Sequence, residues 1–121
     1  MDIYGRKGEP LTIEEYARLL SDMDYKRVAY DEIPPTTKCP ASYLSTVWLG
    51  LDHNFFLKGP PLIFETMRFA IEREDSFHPM LDFPAPDDPS LRIDQERYST
   101  EEQASLGHRL ILRLIQEKEM Q

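Results

Sequence analysis

The sequence predicts an α+β fold: a three-stranded antiparallel sheet with two helices on one face, in the order α-β-β-β-α. Three observations carry that expectation. A helix-start signature stands near each end of the chain, at Thr12–Glu15 and at Ser99–Gln103. Between them lie runs that alternate in the strand sense and are rich in β-branched and aromatic residues. The chain has 121 residues, 40% of them hydrophobic, which suits one domain with its own core over 1–121.

The first helix follows from Thr12 and Glu15, a capping box in which the threonine oxygen accepts a free backbone N–H and the glutamate reaches back. Ile13, Tyr16, Ala17 and Leu20 then recur at helical spacing, and the helix is expected to end near Asp22. Three strands are expected next, at 26–33, 43–53 and 61–71, with a hairpin loop over 54–60 in which Gly59 can take a positive φ. Pairing Leu51 with Ile63 would set Gly50 opposite Phe64, so that the ring covers the bare glycine. The last helix opens at Tyr98-Ser99-Thr100, capped through Ser99 with Glu102 or through Thr100 with Gln103. Ala104, Gly107, His108, Ile111, Leu114 and Ile115 crowd one side of it, and Glu102, Ser105, Arg109 and Arg113 the other. Gly107, in the interior of this helix, marks a close approach of its backbone to a large side chain below, for which Trp48 or one of its neighbours is expected.

From about 72 to 97 the pattern breaks. Pro79, Pro84, Pro86 and Pro89 interrupt it, and Asp75, Asp82, Asp87, Asp88 and Asp94 make it acidic, so a long irregular loop is expected. Phe77, Met80, Leu81 and Phe83 are apolar anchors within it. They serve either to pin the loop to the core or, with Asp82, Asp87 and Asp88 as a charged rim, to contact a partner.

Composition narrows the function classes. Lys and Arg total 14 against 22 Asp and Glu, a net charge of −8, so the surface repels a phosphate backbone and direct nucleic-acid binding is not expected. A basic protein surface is the complementary partner. The single cysteine, Cys39, sits between Lys38 and Pro40, without a pair for a disulfide or flanking residues that mark a nucleophile. The segment 1–16 is mixed polar with no apolar run behind it, so a cytoplasmic protein without membrane contact is expected.

Chemical constellations are sparse. His53, Glu65 and His108 are the weak candidates for a metal site, since imidazoles and a carboxylate suit zinc. Glu65 could alternatively act as a general base if buried. No HExxH or paired-histidine spacing is present, and His108 on an apolar helix face reads more simply as a hydrogen-bonded core histidine. The strand aromatics Tyr43, Trp48, Phe64 and Phe69 could form a base-stacking platform, but without a basic groove they read as core. The GPP at 59–61 is a turn, because proline lacks the N–H donors a phosphate cradle needs. No cofactor is expected.

The runs Gly8–Glu15, Asp24–Ala29, Ser45–Phe55 (STVWLGLDHNF), Pro61–Met67 (PLIFETM) and Arg97–Glu102 leading to Gly107-His108 together resemble a group of small acidic proteins of bacteria, prophages and phages. The chain departs from that group in longer segments at 72–97 and 33–40. The resemblance supplies no catalytic residues. It implies a protein of mobile elements, where small acidic chains without enzymatic motifs often inhibit host defence nucleases. The expected function is therefore a non-enzymatic interaction protein, most concretely an anti-CRISPR-like inhibitor of a host defence protein or nuclease. The alternatives are a small metal-dependent or acid–base enzyme using His53, Glu65 and His108, and an acidic DNA mimic.

Overall fold

A computed structural model of the chain describes residues 2–37, 40–54, 59–71, 77–79 and 95–119. The elements are α1 (Ile13–Leu20), α2 (Met23–Lys26), β1 (Arg27–Ile33), β2 (Ser42–Trp48), β3 (Phe64–Ile71), β4 (Phe77–Pro79), β5 (Gln95–Tyr98) and α3 (Glu101–Glu119). This is the expected mixture of helices with an antiparallel sheet.

Both helix starts form as their side chains dictate. Thr12 accepts from the Glu15 backbone N–H at 3.2 Å, and Glu15 accepts from the Thr12 N–H at 3.1 Å. Those hydrogen bonds from Thr12 hold the Glu15 carboxyl below its ordinary pKa. For α3 the cap is Thr100, whose hydroxyl accepts from the Gln103 N–H at 3.1 Å, while the Gln103 amide oxygen accepts from Ser99 and Thr100. The inward side of α1 differs from expectation. Tyr16 and Leu19 pack against the core, whereas Ile13 stands 73% exposed. Asp22 then caps the one-turn helix α2 by accepting from Tyr25, so the first strand begins one residue later than expected.

The sheet fills four strand positions where three were expected. β1, β2 and β3 form an antiparallel meander, with Tyr43 opposite Phe69, Thr46 opposite Thr66 and Trp48 opposite Phe64. The fourth position, beside β3, is shared by two short strands. β4 pairs with its far half, Phe69 opposite Pro79, and β5 with its near half, Met67 opposite Gln95. Only Arg68 separates those two β3 partners, so β4 and β5 continue one line across the interval 80–94. This corrects the expectation of an irregular 72–97 at 77–79 and 95–97; 72–76 and 80–94 lie outside the described residues. Proline is tolerated at Pro79 because it ends a short strand on the sheet edge.

The β2–β3 register also differs. Phe64 faces Trp48 and not Gly50, a shift of two residues, which keeps the same residues of the two strands sharing a face. β2 stops at Trp48 because Gly50 turns the chain with φ 83°, and a Cβ at Gly50 would meet the rings of Tyr16 and Trp48.

One face of the sheet is covered. β2 alternates strictly: Ser42, Leu44, Thr46 and Trp48 are buried, while Tyr43, Ser45 and Val47 are partly exposed. Near α1, Trp48, Ile63, Phe64, Tyr98 and Ala104 form one cluster; near the far end of α3, Ile33, Leu44, Ile111 and Ile115 form another. Ala104, His108, Ile111 and Ile115 are the buried line of α3. Leu114, expected on that line, is 47% exposed.

The close approach at Gly107 is present, but its neighbour is Tyr98 and not Trp48. A Cβ on Gly107 would fall on Cε1, Cζ and the hydroxyl of Tyr98, a ring fixed by its own burial. Gly107→Ala is therefore expected to lower stability, although alanine gains about 1 kcal/mol of helix propensity there. The displaced ring should cost about 1–3 kcal/mol. A denaturation midpoint that rises in Gly107→Ala would show that the ring yields freely.

Candidate functional site

The covered face holds a line of polar side chains that ordinarily belong outside a core. Asp31 on β1, Thr46 on β2, Thr66 on β3 and His108 on α3 share that face because Asp31 pairs with Leu44 and Thr46 with Thr66 in register. His108 sits 1% exposed beneath α3. Its Nε2 lies 2.8 Å from the Asp31 carboxylate, and its Nδ1 lies 2.7 Å from the Thr46 hydroxyl. The Thr46 hydroxyl in turn makes a short contact with that of Thr66. One polarity satisfies the line: Thr66 donates to Thr46, Thr46 donates to Nδ1, and Nε2–H donates to Asp31. Asp31 thus sets the tautomer of the ring.

Tyr98 closes the line without joining it. Its hydroxyl, buried beside Gly107, is the one buried side-chain oxygen without a hydrogen bond among the described residues. Burial raises the phenol above its ordinary pKa, and the Thr66 hydroxyl offsets part of that rise.

Hydroxyl, imidazole and carboxylate in sequence are the parts of a nucleophilic triad. Here Thr46 is 0% and His108 1% exposed, so no substrate atom can reach the hydroxyl. The arrangement satisfies polar groups inside the core and locks α3 to three strands. The imidazole expected from sequence as a core histidine is one; its partners Asp31, Thr46 and Thr66 were not singled out. The available signal was the alternation of Ala29, Asp31 and Ile33 against Tyr30 and Glu32, which puts Asp31 on the inner face.

The structure does not bring the three candidate ligands together. Glu65 lies on the opposite face from His108, where it accepts from Arg97 Nε at 2.9 Å and from Gln95 at 3.1 Å. Its side chain is 12% exposed, covered by the two residues it accepts from, and the Arg97 salt bridge engages the carboxylate that a general base would need free. His53 sits past the end of β2, with Nδ1 2.8 Å from the Leu51 carbonyl. Among the described residues no group of three His, Cys, Asp or Glu side chains is placed to hold a metal ion.

Sequence reading assigned all four strand aromatics to the core. Trp48 and Phe64 are there, at 1% and 0% exposure. Tyr43 and Phe69 instead lie on the open face, stacked at 5.1 Å, and Tyr30 adds a third ring 5.2 Å from Tyr43. Arg27 stands 4.8 Å over the Tyr30 ring. Burial raises the pKa of the Tyr43 and Tyr30 phenols. This row ends at Phe69, the residue opposite Pro79 at the end of β4.

A cleft of about 770 Å³ opens at the start of α3, between Arg6, Lys7 and Glu9 on one side and Thr100 and Glu101 on the other. Arg6 is already committed: its Nε is paired with Glu101, and its NH1 donates to the Tyr25 carbonyl at 3.0 Å. The walls carry both signs of charge and focus neither.

Of the expected contact residues, Met80, Leu81, Asp82, Phe83, Asp87 and Asp88 lie outside the described residues, as does Cys39; Phe77 lies in β4. Among the described residues no helix is long and apolar enough to cross a membrane. No family model, curated protein or solved structure matches the chain.

Proposed function

We propose that the chain is a non-enzymatic interaction protein whose partner contact is carried by residues 80–94, most concretely an inhibitor from a mobile element that engages a basic surface of a host defence protein. One observation supports this reading above the others. Pro79 pairs with Phe69 and Gln95 with Met67, so only the position opposite Arg68 lies between the two strands, while the chain has residues 80–94 to place there. A single residue opposite Arg68 would have been enough to continue that strand. The strand therefore does not require this stretch, which includes Asp82, Asp87, Asp88 and Asp94, with Arg92 its only cation.

The chemistry of the segment fits a protein partner. Met80, Leu81 and Phe83 supply apolar anchors and the aspartates a charged rim, and the row of Tyr30, Tyr43 and Phe69 extends the surface across the sheet. The resemblance to small phage and prophage proteins points to a host target. An enzyme built on His53, Glu65 and His108 has no support from the placement of Glu65 and His108 on opposite faces. A DNA mimic needs its acids concentrated on one surface, and they run from Asp2 to Glu119.

The test replaces 80–94 by one threonine. The variant is expected to melt within a few degrees of the parent and to lose the protein that the parent captures from a host lysate. Capture of the same protein by both would overturn the reading. So would collapse of the variant, because Met80, Leu81 and Phe83 would then be completing the core. Asp82→Asn, Asp87→Asn and Asp88→Asn combined should weaken capture most at low ionic strength, where steering is least screened.

A further inference from the structure

We propose that the row Leu106, Leu110 and Leu114 on α3 is the contact surface of a two-fold dimer of this chain. The three leucines are 51%, 50% and 47% exposed. They recur at i, i+4 and i+8, forming a single apolar ridge along the helix. The core already has its own line on α3, through Ala104, His108, Ile111 and Ile115, so the ridge is a second apolar face that the monomer does not use. Contiguous exposed leucines of this kind mark contact sites, where scattered single ones do not.

The ridge and its flank are self-complementary. It is symmetric about Leu110, so a two-fold axis there sets Leu106 against Leu114 of the second copy and Leu110 against its equivalent. The two copies of α3 then run antiparallel with their macrodipoles opposed. On one side of the ridge the helix carries Glu102 before it and Arg113 after it. Under the same axis, Arg113 lies on the side of Glu102 of the second copy, offset along the helix by about 7.5 Å, a span that an arginine and a glutamate can bridge. Among the described residues Arg113 pairs with Glu117, at 3.6 Å, with both side chains well exposed. A basic partner would meet Arg109 and Arg113 beside the ridge, whereas a second copy supplies a carboxylate there. The surface is distinct from residues 80–94, and the inference stands independently of the proposed function.

Sedimentation equilibrium of the intact chain, at about 0.15 M salt to screen the like net charges, is the direct test. The expected result is a reversible monomer–dimer equilibrium with a micromolar dissociation constant. Leu110→Glu should weaken it at least tenfold with the helix signal in circular dichroism unchanged. Ile13→Glu, at an apolar position 73% exposed on α1, should leave it unaltered. Arg113→Glu should weaken the dimer, and adding Glu102→Arg should restore it by exchanging the charges across the axis. A parent that stays monomeric across the concentration range overturns the proposal, even if the ridge then binds another protein. A Leu110→Glu variant that dimerises like the parent overturns it too, and failure of the charge exchange overturns the antiparallel two-fold arrangement.

Discussion

Trp48→Ala is expected to remove about 3–5 kcal/mol of stability, the usual range for deleting a fully buried tryptophan. Domains of this kind have about 5–15 kcal/mol in total, so the variant should be partly unfolded at room temperature or close to it. The size of the effect follows from what the indole holds. Tyr16 of α1 and Tyr25 of α2 meet it edge-on at centroid distances of 5.8 and 4.9 Å, so both short helices rest on one ring. Its Nε1–H donates to the Tyr4 carbonyl at 2.8 Å. Tyr4 belongs to a segment whose other ties include Ile3 bridged to Leu51, the Tyr4 N–H donating to the Gly50 carbonyl, and Arg6 held by Glu101 and the Tyr25 carbonyl. Trp48→Phe keeps an aromatic body under both tyrosines and gives up the N–H, so its loss should be smaller, about 1–2 kcal/mol. Urea midpoints read by far-ultraviolet circular dichroism measure all three proteins on one scale, since Trp48 is the chain's only tryptophan and its fluorescence vanishes with it. A Trp48→Ala variant within about 1 kcal/mol of the parent would mean that the helices hold themselves in place without the ring.

Much of this fold is legible wherever a signal is local. The Thr12–Glu15 and Thr100–Gln103 caps act over three residues, and both form as their side chains require. The glycine inside α3 signals a close approach from its type alone. Its neighbour, Tyr98, is a matter of tertiary placement, and sequence reasoning points to Trp48 or one of its neighbours. The observed strand register differs by two from the expected one because pairing Leu51 with Ile63 requires β2 to run past Gly50, where the positive φ ends it. A shift of two preserves the faces, so which residues are buried was less affected than which residues pair.

The fourth strand position was hidden for a different reason. Phe77-His78-Pro79 and Gln95-Glu96-Arg97-Tyr98 are each too short to show alternation, and the proline-rich stretch between them dominates any window that includes either. Only their common neighbour β3 reveals them as one line. The ridge on α3 is hidden in the sequence expectation, which places Leu106 and Leu110 on neither face of the helix and counts Leu114 in the core. A projection through the three leucines leaves the buried line, Ala104 to Ile115, about a third of a turn away.

His108→Leu should lower stability by about 2–3 kcal/mol, an effect that a view of the histidine as mere apolar filler would not predict. Leucine fills a similar space, so the loss isolates hydrogen bonding rather than a cavity. With the imidazole gone, the Thr46 hydroxyl keeps its contact with Thr66 but loses its acceptor, in a site with no water-accessible surface at Thr46. Asp31 fares better, because its side chain is 47% exposed and water replaces the ring. Asp31→Asn should accordingly be the mildest change in the line, about 1 kcal/mol or less, since the amide oxygen still accepts from Nε2–H. Thr46→Val should fall between them, leaving Nδ1 buried without a donor. The double variant Thr46→Val/His108→Leu removes both partners of one buried bond, and its loss should be clearly smaller than the sum of the two single losses. That coupling is the decisive quantity, because it separates a hydrogen-bonded line from two independent core positions. Additive losses in the cycle, or a His108→Leu variant as stable as the parent, would show that the imidazole contributes by shape alone.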